Sequence, residues 1–378
     1  MTKLINYLWH RQILAKSEKY QYRQINKPYV ANFYAPDQMG IQGSHETLGN
    51  FDWVNQSKAF YEFVERTSSK SSMDVNNGKN INFEGLGFDW FVNEFQAVSR
   101  YDIATDYFSG NLRQVPYIFG HYLDERSYDG HVFRGNSNGA ALGSTYKKAL
   151  HSATLELVER DKLLSFWLGD RGKLILIDHQ YTVIPKYVNG YYVQSFLIDA
   201  EPFQIYLVWT ILVKEDSTND EFTSFSGFGS ALDIVEALET SFSEARSLQN
   251  NHLTENNISE KIKKTLSITD GIYDLNDQIY YWGSVQALRE FRRMVAGIDT
   301  VTIEDIQKES VKKELMTIVE EAYQELWVLD LTDSELQELS LFSLKVFSPN
   351  AKNMYFKLNM SRLKMRENVF RPKVFPLA

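Results

Sequence analysis

Apolar residues follow two rhythms along this chain. Over 145–169, and again over 231–249 ("ALDIVEALETSFSEARSLQ"), they recur at helical spacing, which predicts two long helices. In "LILID" (174–178), "YYVQSFLID" (191–199), "FQIYLVWTILV" (203–213) and "FTSFSGFG" (222–229) they run on or alternate. Those stretches are rich in β-branched and aromatic residues and predict strands. Further helices are predicted over 52–68, 257–266, 284–296 and 303–325, with a short one at "DSELQELS" (333–340). "GFDWFVNEFQAVSRYDIATDYF" (87–108) also reads as helical. Strands are expected in "VPYIFGHYL" (115–123), 325–332 and 342–348. "SSKSSMDVNNGKN" (68–80) and the small-residue stretch "RGNSNGAALGS" (134–144) read as loops, and Gly40, Gly43 and Gly49 mark loops near the start. Helices and strands mix without strict alternation, which favours an α+β or layered α/β fold. No linker divides residues 45–378, and residues 1–44 form an N-terminal segment.

Charge and composition remove several function classes. The net charge of -9 argues against nonspecific nucleic-acid binding, which needs a basic face. The chain has no cysteine, so disulfides, thiolate nucleophiles and cysteine metal sites are excluded. The longest apolar run, 203–213, is too short to span a bilayer. The N-terminus lacks the apolar core and cleavage site of a secretion signal. A cytoplasmic protein with no membrane partner is the expectation.

One motif occurs twice. "SKAFYEFVER" (57–66) and "HSATLELVER" (151–160) both end in Glu-x-x-Glu-Arg after an apolar run. Residues three apart share a helix face, so Glu62 pairs with Glu65 and Glu156 with Glu159. One copy alone is an ordinary solvated helix face. Two copies, packed together, would converge four carboxylates, which cannot all stay ionised without cations. Magnesium takes oxygen ligands and bridges phosphates. Arg66 and Arg160 could grip phosphate in a bidentate manner. The doubling also hints at internal two-fold pseudo-symmetry. Other signals are weaker. The seven histidines show no metal-ligand spacing, and "GFGSALD" (227–233) lacks the full dinucleotide fingerprint and reads as a strand-to-helix turn.

The segment "SNGAALGSTYKKALHSATLELVERDKLLSFW" (137–167) resembles the signature of YcaO proteins. "KAFYEFVER" (58–66) is similar to that family's first acidic helix, and "GFGSALDIVEALETSFSEA" (227–245) to its third nucleotide-binding segment. Residues 273–291 and 326–350 resemble its later strands, and "RPKVFPLA" (371–378) its proline-rich tail. The resemblance implies a YcaO-type fold with helices packed on mixed sheets, and the cofactors ATP and Mg2+. It implies activation of a peptide backbone amide: a Ser, Thr or Cys side chain attacks the preceding carbonyl, and the resulting oxygen is phosphorylated and eliminated to leave an azoline. On this view Glu62, Glu65, Glu156 and Glu159 hold magnesium. Arg66, Ser137, Asn138, Ser144, Lys148, Arg160, Glu244 and Ser247 line the nucleotide. Glu159, Arg160 and the tail, with Pro376 and Ala378, serve catalysis. The implied partners are a ribosomal precursor peptide, an E1-like leader-binding protein and a flavin dehydrogenase, in a homodimer or hetero-oligomer. The rivals are a non-catalytic scaffold subunit and a thioamide-forming relative.

Three segments depart from the family pattern. Ser144 and Lys148 stand where many members have Asn and Glu, and Lys58 where many have Ser. The usual Glu-x-x-Gln of the third segment becomes Glu244 and Ser247, with Gln249 two residues late. Lys58 precedes Glu65 by seven residues and Lys148 precedes Glu159 by eleven, so each lies within about 20° of its glutamate's stripe. Those two ammonium groups are candidates to replace part of the metal charge, unless they simply extend into solvent.

Overall fold

A computed structural model describes residues 100–121, 125–128, 131–134, 137–178, 184–214, 218, 220–253, 255–268, 275–308, 313–352, 370–372 and 374–376. Before residue 100 it describes 21–23, 30–34, 42–45, 62, 65 and 76–77. In chain order the elements begin with β1 (Gln21–Arg23), β2 (Val30–Tyr34), β3 (Gln42–His45), β4 (Asn76–Asn77), β5 (Arg100–Asp106) and β6 (Leu112–Pro116). Then come α1 (Tyr117–Gly120), β7 (Glu125–Tyr128), β8 (His131–Arg134), β9 (Ala140–Gly143) and the long α2 (Tyr146–Trp167). Next are β10 (Lys173–Asp178), β11 (Tyr187–Val188), β12 (Tyr191–Asp199), β13 (Tyr206–Val213), β14 (Ser224–Ala231) and α3 (Ile234–His252). Helices α4 (Ile258–Leu266), α5 (Leu275–Trp282) and α6 (Val285–Met294) precede β15 (Thr300–Thr302), α7 (Ile303–Lys308) and α8 (Leu315–Tyr323). The series closes with β16 (Trp327–Asp330), α9 (Ser334–Glu338) and β17 (Phe342–Phe347).

The chain divides into two compact units, Met1–Val158 with Val319–Tyr355, and Glu159–Ile318 with Phe356–Ala378. Each unit is assembled from separated stretches, so no linear boundary marks it in the sequence. The first unit holds an antiparallel sheet in the order β4-β5-β16-β17-β9, with β6 on β5. Its apolar core includes Ala149, Leu150, Ala153 and Leu157 of α2 and Leu344 and Val346 of β17. The second unit holds the sheet β14-β13-β12-β10-β15, antiparallel except for the parallel β10–β15 pair. Its core is aromatic: Trp209 meets the rings of Trp167, Phe196, Phe228, Trp282 and Phe291. The result is a mixed α/β architecture, as the pattern predicts.

Several elements differ from the sequence expectation. Residues 100–106 are a strand rather than a helix. Ala104 and Asp106 are buried while Ile103 and Thr105 are exposed, the period-two pattern of a strand held between β6 and β16. The stretch 87–99 lies outside the described residues. Residues 117–120 form a helical turn, and Ala140–Gly143, read as loop, pair with β17. Gly43 lies inside β3. The single helix expected over 303–325 is two, α7 and α8. The segment 273–291, likened to strands, carries α5 and the start of α6. Serine 284 caps α6 by accepting from Ala287 N at 3.1 Å, a local signal that overrides the resemblance. Among the described residues, no helix is long and apolar enough to cross a membrane.

Candidate nucleotide and metal site

In the first unit the Ser-Asn-Gly loop is pinned to β17. Gly139 has φ +67, and a Cβ there would meet Val346 O at 2.6 Å. Glycine is therefore required both by the left-handed turn and by the backbone approach. Val346 N donates to Gly139 O at 2.8 Å and Ala140 N to Ser137 O at 2.9 Å. Asn138 is buried and Ser137 half-buried. The chain then runs through β9 into α2, where Thr145 Oγ1 accepts from Lys148 N at 3.2 Å and caps the helix. Ser144, Lys147, Lys148, His151 and Ser152 line a cavity of about 580 Å³ at this helix start. Ser144 and Lys148 are exposed.

Glu62 and Glu65 are both helical and half-buried. Glu65 and Glu156 both act on a residue that the sequence pattern does not bring forward. Lys345, on β17, is 1% exposed, and the charges of Glu156 and Glu65 both act on it. Burial presses its pKa down to about 7, against the pull of Glu156 and then Glu65. One signal could have found it: a lone lysine inside the apolar run "FSLKVFS" is a charge that must be buried with partners.

In the second unit Glu159 is buried, and burial raises its carboxyl above the usual range. Arg160, with Nη1 at 3.5 Å, and a hydrogen bond from Ser230 of β14 act against that rise. Glu244 of α3 takes a second grip on the same strand, with Oε2 accepting from Phe228 N at 2.6 Å. Strand β14 can lie this close to α3 because of Gly227, where a Cβ would meet Ser241 O and Ala245 N at 2.2 Å. The "GFG" stretch is thus a packing contact followed by a helix cap: Asp233 accepts from Val235 N and Glu236 N. Ser247 is buried. Gln249 is five residues beyond Glu244, about 140° around the helix. It accepts instead from Arg246 Nη1 at 2.6 Å and Asn189 Nδ2 at 3.4 Å.

The tail packs within the second unit. Phe375 meets Trp167 at 5.5 Å between ring centroids, and Trp282 Nε1 donates to Val374 O at 3.1 Å. Arg371 stacks over Phe166 at 4.1 Å and donates to its carbonyl at 3.4 Å. Pro372 and Pro376 are buried. Arg66, Lys58 and Ala378 lie outside the described residues.

Among the described residues, no three His, Asp or Glu side chains gather closely enough to hold a metal ion by themselves. The donor set still fits magnesium. That ion prefers hard oxygens, keeps several waters, and is commonly held by one or two carboxylates plus substrate phosphates. A buried Glu159 whose ionisation is opposed by burial is a carboxylate that a divalent cation would stabilise.

A family model described as YcaO cyclodehydratase, ATP- and Mg2+-binding, matches residues 57–352. No curated protein sequence matches the chain. Among solved structures, a heterocyclase in complex with substrate and cofactor has a TM-score of 0.62 at 17% identity. The match covers 93% of this chain and 52% of the heterocyclase, so the chain spans about half that protein's length. YcaO from Methanopyrus kandleri, bound with AMPPCP and Mg2+, has a TM-score of 0.61 at 14% identity, covering 99% of this chain and 95% of that one. The E. coli microcin synthetase McbBCD complex has a TM-score of 0.57 at 14% identity, covering 88% of each chain. At these identities the likeness is one of fold.

Proposed function

Since the chain belongs to the YcaO cyclodehydratase family, whose cofactors are ATP and Mg2+, we propose that it activates a backbone amide of a ribosomal precursor peptide to form azolines. The observation that carries this reading is the retained acidic pair on α2, with Glu159 buried beside Arg160 and Glu156 acting on Lys345. Bound ATP would supply the phosphoryl group and Mg2+ the neutralisation of its charge. Glu62, Glu65, Glu156 and Glu159 would hold the metal, and Arg66 and Arg160 would face the phosphates. Ser137 and Asn138 would present the loop, with Ser144 and Lys148 at its far end. Glu244 and Ser247 would complete the nucleotide's surroundings on α3. Glu244 also gives one oxygen to Phe228 N, which fixes its side chain against β14. The docked tail, through Pro376 and on to Ala378, would shape the reacting end. The McbBCD complex bound with pro-MccB17 shares the fold at 14% identity, which supports a precursor peptide and partner proteins for this chain. A leader-binding E1-like subunit, a flavin dehydrogenase and a cytoplasmic setting belong to the same proposal.

The expected result is Mg2+-dependent ATP binding and consumption by the wild type, lost in Glu159→Gln. A neutral amide is a far poorer magnesium ligand than a carboxylate. Isothermal titration and phosphate release check this, with circular dichroism confirming the fold. Wild-type turnover in a folded Glu159→Gln protein would refute the assignment. The lack of a three-carboxylate cluster among the described residues favours a second reading, a non-catalytic scaffold subunit. A wild type that binds precursor but consumes no ATP with its partners present would establish that one instead.

A further inference from the structure

Helix α6 carries its apolar residues on one side and its arginines on the other. Ala287, Leu288 and Phe291 are buried. Arg289, Arg292 and Arg293 are exposed and span about 100° of the opposite face. Among the described residues, no carboxylate forms an ion pair with any of the three, in a chain whose net charge is -9. The helix's own acid, Glu290, is engaged elsewhere: it accepts from Tyr281 Oη at 2.6 Å and from Gln286 Nε2 at 3.1 Å. The helix dipole accounts for cations in the last turn, where Arg292 and Arg293 stand. It does not account for Arg289, which lies three and four residues before them and repels both. Phe370, just before the tail, gives this face an aromatic edge. It is 38% exposed, and the Arg293 guanidinium lies over its ring at 4.2 Å. Arg371 turns the other way, over Phe166. Stacking holds a guanidinium by its flat side and leaves the N–H edge open to take a carboxylate in bidentate fashion.

We propose that the arginine face of α6 is a docking surface for an acidic stretch of the precursor peptide, bound in extended form. The inference deepens the proposed function and rests on it for the source of the peptide. Charge sets the chemistry. Arginine forks match carboxylates, and a cluster of them without internal partners on an acidic protein selects acids from outside. Spacing sets the form. Arg289 and Arg293 are about 6 Å apart along the helix axis. Acids two apart in an extended peptide point to one side and lie about 6.6 Å apart, so a Glu-x-Glu stretch meets both arginines. Position sets the source. Phe370 leads into the segment that continues through the buried Pro372 and Pro376, which the proposed function puts at the reacting end. A peptide held on this face therefore lies beside that segment. Nucleic acid is the poorer occupant, because its binding grows with the number of phosphates neutralised, and this face offers three arginines on a chain of net charge -9.

The probe is a fluorescein-labelled octapeptide of alternating Glu and Ser, read by fluorescence anisotropy at low salt, with a Lys-Ser octapeptide as control. The wild type should bind the acidic probe and not the basic one. Arg289→Gln/Arg293→Gln should weaken that binding by roughly tenfold or more. Phe370→Leu keeps an apolar side chain, removes the stacked ring, and should weaken it about threefold. No binding to the wild type, or equal affinity in a folded double variant, overturns the proposal. So does a single-stranded oligonucleotide that binds the face more tightly than the peptide does. In precursor dehydration with partner proteins present, the double variant should raise KM by roughly fivefold or more and leave kcat within about twofold. An unchanged KM, or loss of a partner protein from the complex in size-exclusion chromatography, would assign the face to that protein and overturn the proposal. A separate titration of the wild type with ATP and Mg2+ tests the nucleotide reading. No ATP binding, with the arginine-dependent peptide binding intact, would sink that reading while supporting the docking surface.

Discussion

Lys162 and Lys345 are both 1% exposed, and burial presses both down to a pKa of about 7, yet their partners differ in kind. Lys162, in the second unit, donates to the backbone carbonyls of Pro202, at 3.2 Å, and Ile205. Those oxygens belong to the chain leading into β13. Lys345, in the first unit, answers to the side chains of Glu156 and Glu65. A carboxylate can exchange an ammonium for a metal ion; a backbone carbonyl fixed by its strand does not leave. The buried amine of Lys162 thus rests on backbone carbonyls, with Asp199 and Asp161 acting on it from further away, whereas the charges that act on Lys345 are those of Glu156 and Glu65.

The largest test of that contrast is the pH dependence of stability through Lys162. Burial is the leading cause of its depressed pKa. Asp199 opposes the shift, Arg171 adds to it, and Asp161 opposes it again. Its folded pKa is about 7 against an ordinary 10.5, so between those values the unfolded chain holds a proton that the folded chain does not. Stability from this group is fully present above pH 10.5 and is lost as pH falls through about 7. The slope should approach 1.4 kcal/mol per pH unit at most, on the order given by one proton. Urea midpoints measured from pH 7 to 10 should rise in the wild type, and the rise should shrink in Lys162→Met. At pH 10 the variant should also be less stable by about 1–3 kcal/mol, because Ile205 O loses the Lys162 donor and Pro202 O keeps only Ile205 N. Its Mn2+ affinity should stay at the wild-type value. A Lys162→Met protein with altered metal binding would erase the distinction.

The tail offers a smaller test, since it too is held by fixed, neutral partners. Trp282→Phe keeps most of the ring burial and deletes the N–H that reaches Val374 O. The expected cost is about 1 kcal/mol, seen as a lower urea midpoint and faster proteolysis after Phe370. If the tail shapes the reacting end, precursor dehydration should fall by more than this stability loss accounts for. A loss of dehydration no greater than the loss of folded protein would confine the tail to the fold.

How much of this was legible beforehand depends on whether neighbours in space are also neighbours in sequence. Helices α2 and α3 and strands β10 to β14 are legible because each carries its own period, and the aromatic core follows from them. The doubled Glu-x-x-Glu-Arg is visible for the same reason. Residues 100–106 misled because Tyr101, Ile103 and Thr105 alternate within a longer stretch that also suits a helix, and only pairing with β6 and β16 decides between them. The two units were not legible, since each is built from stretches far apart in the chain. Lys345 is not legible beside the glutamates, because helical spacing relates only residues that are near in sequence. Its partners lie 189 and 280 residues away, at Glu156 and Glu65.

The smallest expected effect belongs to Lys148, the lysine that the helical stripe did bring forward. It is exposed and lines the cavity at the start of α2. Glu156 lies eight residues on, about 12 Å along the helix axis. Between exposed charges in water at physiological salt, the screening length is about 8 Å, so little of the ammonium's field reaches that carboxylate. An exposed lysine also keeps its solvation and has no need of the cluster. Lys148→Glu should therefore leave Mn2+ affinity within about twofold of the wild type. A Mn2+ titration that finds a larger change would give the metal-replacing role to the helix lysine, and would show that an exposed charge at the start of α2 reaches the carboxylates despite the screening.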